Sequence, residues 1–181
     1  GSSDPDAGYY GGQISFDIQV ISGADTDPAG SLQVKMDSGF PDVGYMEIPL
    51  SSLPADQFTR VSLRISEILQ SNQGVFGGQA PDIASIINLV TFEPTSAAHL
   101  QISNISLTCG AVLGCGIAAE ASVPFNVFID EVDPRWGRGI QAYDSVAEDY
   151  SDGSAGNHVS WELVDTGEDG HDTVVETTFD N

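Results

Sequence analysis

Apolar side chains recur at every second residue through most of this chain, and that period limits what it can build. "QISFDIQV" sets Ile14, Phe16, Ile18 and Val20 on one face, and "SLQVKMD" does so with Leu32, Val34 and Met36. "FTRVSLRIS" continues with Val61, Leu63 and Ile65, and "TVVETTF" with Val175, Thr177 and Phe179. "HVSWELV" alternates through Val159, Trp161 and Leu163, which assigns Trp161 to a core. A period of two belongs to half-buried strands rather than helices. "HLQISNISL" starts on Leu100 and Ile102 and changes phase at Asn104, which predicts a β-bulge there.

Clusters of Gly, Pro, Asp, Asn and Ser such as "SGADTDPAGS" separate these runs. Short alternating strands at this spacing predict an all-β fold, an antiparallel β-sandwich. "PLSSLPADQF", interrupted by Pro54, is granted one helical turn, and the more continuously apolar "IASIINLVTFE" reads as a strand buried on both faces. The opening "GSS" reads as an expression scar, and residues 1–3 are set aside.

Residues 109–123, "CGAVLGCGIAAEASV", read as a linker of small residues between 4–108 and 124–181. Cys109 and Cys115 bracket a short Gly-containing loop whose spacing fits no zinc signature and reads as a local disulfide in preference to a reactive pair. A disulfide places the chain in an oxidising, secreted setting, periplasmic or extracellular, with any signal segment removed.

Five Lys and Arg against 27 Asp and Glu give a net charge of −22. No basic patch exists to displace counterions from nucleic acid or to hold an anionic membrane. The same charge suits high salt, neutral partners and cations. No apolar run reaches the ~18–20 residues that cross a bilayer.

"FIDEVDPRWGRGIQAYDS" and "VSWELVDTGEDGHDTVVETTF" resemble the opening of the jelly-roll, galactose-binding-like module at the C-terminus of marine bacterial family 3 exo-β-glucanases. "GGQISFDIQVISG", "LQVKMDSGFPDVGY", "FTRVSLRISEIL" and "LQISNISLTC" resemble its later strands, in order. The halves stand exchanged. The resemblance therefore implies a circularly permuted module, with 124–181 supplying the opening strands of the sandwich that 4–108 completes. The rivals are a fragment of a tandem array and head-to-tail strand exchange between neighbouring chains. The loop "SGFPDVGY" departs from the family pattern, which often carries two cysteines there.

The function implied is non-catalytic binding of a neutral polysaccharide, first a β-glucan of laminarin or mixed-linkage type, beside the catalytic domain of a glycoside hydrolase. Flat rings stack on the apolar faces of sugars. The candidates are Trp136 with its neighbours Arg135 and Arg138, then Phe40 and Tyr45 around the "PDVG" turn, and Tyr10. The same resemblance implies a structural calcium held by Asp130, Glu131, Asp165 and Asp169, with Asn104 from the closing strand. His99, His158 and His171 are scattered and no nucleophile elbow is present, which argues against an enzyme. Two carboxylates suffice for glycoside hydrolysis, so a small hydrolase stays open, as does a structural or assembly module.

Overall fold

A computed structural model describes residues 11–21, 26–108, 125–128, 142–144, 149–151 and 159–179. The strands are β1 (Gln13–Val20), β2 (Ser31–Asp37), β3 (Val43–Pro49), β4 (Thr59–Arg64), β5 (Asn88–Pro94) and β6 (Ala98–Thr108). They continue with β7 (Phe125–Phe128), β8 (Ala142–Asp144), β9 (Asp149–Ser151), β10 (Val159–Asp165) and β11 (Thr173–Phe179). One helix, α1 (Ile65–Gln70), follows β4 directly.

Among the described residues, every pairing between these strands is antiparallel. The larger sheet runs β10-β11-β6-β1-β4, with β7 also on β6; a second runs β3-β2-β5, and β8 pairs β9. The protein is an all-β antiparallel sandwich. Long β6 lies along β1 on one side. On its other side Ala98–Ile102 meets β11 and Ile105–Leu107 meets β7.

The core forms where the alternating faces meet. Ile14, Phe16 and Ile18 of the large sheet and Leu32, Val34 and Met36 of the small one belong to a single buried cluster. Phe16 meets Phe92 edge to face, with ring centroids 4.9 Å apart. The phase change in β6 is a bulge: Asn104 has φ of 50°, and the β1–β6 register shifts between Ser15 and Asp17. Ala98, Leu100 and Ile102 point inward before it, and Ile105 and Leu107 after it.

Three expectations need correction. Ile65 does not continue β4; it opens α1, whose Ile65, Ile68 and Leu69 bury one helical face. "IASIINLVTFE" is not one fully buried strand. It makes a 3-10 turn at Ile83–Ser85 and then β5, whose residues are mostly half-buried, with Ile87 exposed between them. Trp161 packs against the core as expected, but Leu163, on the same alternation, is 49% exposed. "PLSSLPADQF" keeps its one turn, a 3-10 turn at Leu50–Ser52.

Candidate functional site: an exposed aromatic shelf

Leu32, Val34 and Met36 point into the core, so Gln33, Lys35 and Asp37 face outward from the small sheet. Register places Lys35 between Tyr45 of β3 and Thr91 of β5. The next row is Glu47, Gln33 and Glu93.

Two loops frame one end of this face. The β2–β3 turn carries Phe40 and is closed by hydrogen bonds from Ser38 N to Asp42 O (3.2 Å) and Asp42 N to Gly39 O (2.8 Å). The segment after α1 runs along the free edge of β3: Tyr45 N donates to Ser71 O at 3.2 Å, and Asn72 Nδ2 to Tyr45 O at 3.0 Å. The loops are tied to each other by Gln79 N to Asp42 Oδ1 (2.7 Å) and Asp82 N to Ser38 Oγ (3.0 Å). At Gly78 a Cβ would collide with the Pro41 carbonyl, so the loops pack backbone on backbone.

This frame brings Phe76 beside Phe40 (centroids 5.8 Å) and Tyr45 (6.3 Å). Phe40 is 77% exposed and Phe76 38%. Beneath them lies Lys35, the chain's single lysine, only 8% exposed. Its Nζ sits 5.3 Å from the Phe76 centroid and 5.6 Å from that of Tyr45, within cation–π range, and 2.8 Å from Glu93 Oε2. Val75 and Ile87 add exposed apolar surface, the latter against Gly39. Phe40, Val75, Phe76 and Ile87 are four of the five large apolar side chains exposed among the described residues. This gathering of exposed apolar side chains makes the end of the small sheet the candidate interaction surface.

Of the sequence candidates, the structure joins Phe40 and Tyr45. Tyr45 lies within β3 and is buried behind Phe76, not at a loop tip as expected. Trp136, Arg135, Arg138 and Tyr10 lie outside the described residues, as do Cys109, Cys115, Asp130 and Glu131. Phe76 and Lys35 were missed by sequence reasoning. The one local signal was an aromatic flanked by glycines in "GVFGG".

The remaining calcium candidates meet around the β10–β11 turn. Asp165 Oδ1 accepts from Gly167 N at 3.0 Å, and Asp169 lies in the same turn. Asn104 touches this turn through Nδ2 to Gly170 O, 2.9 Å, and also donates to Asp17 Oδ2 at 2.8 Å. Among the described residues no three His, Cys, Asp or Glu side chains gather to hold an ion.

What the bulge does assemble is a polar pin. Asp17 accepts from Arg60 Nη1 (3.0 Å) and from Asn104, and Arg60 also reaches Asn104 O and Ser106 Oγ. His171 from the β10–β11 turn pairs Nδ1 with buried Ser103 Oγ at 2.8 Å and stacks on Phe58 at 3.9 Å. Asp17→Ala would strip two donors of their acceptor. Charge-assisted bonds contribute about 1.5–3 kcal/mol, and half-exposed Arg60 puts the loss near ~2 kcal/mol. Urea unfolding is expected to show it; a loss below ~0.5 kcal/mol, ordinary for a surface change, would count against the pin.

A second polar row crosses the same face. Gln19 Nε2 donates to Gln101 Oε1 (2.7 Å), Gln101 Nε2 to Glu176 Oε2 (2.5 Å), and His99 Nε2 meets Glu176 Oε1 at 2.8 Å. Burial pushes the Glu176 carboxyl up, but its bonds to Gln101 and His99 outweigh that and hold it below 4.5. A carboxyl depressed by folding stabilises above its unfolded value and loses that contribution as pH falls through the folded one. The stability gap between wild type and Glu176→Gln should therefore be widest near neutrality and close below about pH 4.5. A gap unchanged across that range in urea titrations would contradict the assignment.

No helix among the described residues is long and apolar enough to cross a membrane. No family model matches the chain, and neither a curated protein nor a solved structure does.

Proposed function

We propose that the chain is a non-catalytic carbohydrate-binding module of a secreted polysaccharide-degrading enzyme, and that it holds a neutral polysaccharide on the Phe40–Phe76 shelf. The observation that carries this reading is the shelf itself: two exposed rings on cross-tied loops, set over a buried tyrosine of β3 and a neutralised lysine of β2. Rings present an apolar face to pyranose C–H groups, and a pre-formed frame lowers the ordering cost of binding. A net charge of −22 favours neutral chains over uronate or sulfated ones. A β-glucan of laminarin or mixed-linkage type is the first ligand to try, on the family resemblance alone.

The same reading takes 124–181 as the opening strands of a permuted module. The pairing of β7 and β11 with β6 supports it, because strands from both sides of the linker share one sheet. The structural calcium stays part of the proposal, with Asp130, Glu131, Asp165, Asp169 and Asn104 as its oxygen donors.

Affinity electrophoresis against laminarin, lichenan, xylan, agarose and alginate tests the reading. Retardation by at least one neutral polysaccharide, and none by alginate, is expected. No retardation on any neutral gel would overturn it. An assembly module is the second reading, favoured by β10, which pairs only with β11 among the described residues and exposes Leu163. Size in light scattering that grows with protein concentration would support that reading instead.

A further inference from the structure

The shelf is one end of a longer face. Beside the Tyr45–Lys35–Thr91 row lies the row Glu47–Gln33–Glu93, two residues further along each strand, or about 6.6–6.8 Å. Gln33 Nε2 donates to Glu47 Oε1 at 2.9 Å, and Glu93 Oε2 takes Lys35. Those two bonds orient the row and leave Glu47 Oε2, Glu93 Oε1 and Gln33 Oε1 as acceptors. Glu47 and Glu93 are exposed and Gln33 half-exposed.

We infer that this row is a second sugar subsite, so that the site takes an oligosaccharide running from the shelf across the sheet, not a single chain end. The inference rests on the carbohydrate reading above. An ionised carboxylate only accepts hydrogen bonds, and so does the free oxygen of Gln33. The row therefore suits sugar hydroxyls, which donate, and rejects uronates and sulfates, which bring only further negative charge. The shelf supplies apolar contact that any pyranose satisfies. The row supplies selection among hydroxyls and rewards length, since only a sugar beyond the two that cover Phe40 and Phe76, whose centroids lie 5.8 Å apart, reaches it.

The test is calorimetric titration with laminari- and cello-oligosaccharides from the disaccharide to the hexasaccharide. In wild type, Kd for one of the two series should tighten by about tenfold from the disaccharide to the longer members, the worth of one or two ordinary hydrogen bonds. The double variant Gln33→Ala/Glu47→Ala leaves the Lys35–Glu93 pair intact. It should flatten that dependence while keeping the disaccharide affinity and the melting midpoint. The same steep dependence in the variant, or no length dependence in wild type, would overturn the subsite while leaving the shelf standing. Failure of wild type to bind any oligosaccharide or polysaccharide would overturn both.

Discussion

Phe16→Ala is expected to lower unfolding free energy by ~3–5 kcal/mol, the cost of removing a fully enclosed aromatic and leaving a cavity. Phe16 is 0% exposed, sits mid-strand in β1, and meets Phe92 of the opposite sheet edge to face. Among the described residues it is the largest fully buried side chain, and it joins the two layers. At ~2–4 °C per kcal/mol for a domain of this size, the melting midpoint should fall by ~6–20 °C. Phe16→Leu, which keeps most of the volume, should cost far less. Equal losses for the two variants would mean that the sheets are not closed on this ring.

Much of this layout was legible because burial imprints a period of two. β1, β2 and β11 follow their alternation, and the change of phase at Asn104 marks a bulge where Asp17, Arg60 and His171 converge. α1 was not legible. Val61, Leu63 and Ile65 continue a strand period, while Ile65, Ile68 and Leu69 make a helical one, and the shared Ile65 hides the switch. β5 was over-read for a similar reason: its run of apolar residues has no period, and length alone suggested full burial.

The shelf shows the other limit. Phe40 could be picked out because Gly39, Pro41 and Gly44 mark a turn around it. Phe76 could not. Its meeting with Phe40 depends on the route of a long loop fixed by Asp42–Gln79 and Ser38–Asp82, contacts that leave no periodic trace. Lys35 reads in sequence as a polar residue on the solvent face of β2. Only the packing of Phe76 and Tyr45 around it turns it into a buried cation.

Removing both exposed rings is the most direct measure of whether this shelf binds sugar. Full burial of a Phe side chain is worth roughly 1.5–3 kcal/mol, and partial coverage of each ring by a pyranose about half that. Together Phe40→Ala and Phe76→Ala should then weaken binding by about 1.5–3 kcal/mol, on the order of ten- to a hundredfold in Kd. Both side chains stand outside the buried core cluster, so the double variant should melt close to wild type. The measurement is titration of wild type and Phe40→Ala/Phe76→Ala with whichever neutral polysaccharide retards the wild type, alongside thermal melting of both. The account predicts binding lost or weakened at least tenfold with the fold intact; equal affinity in the two proteins would contradict it.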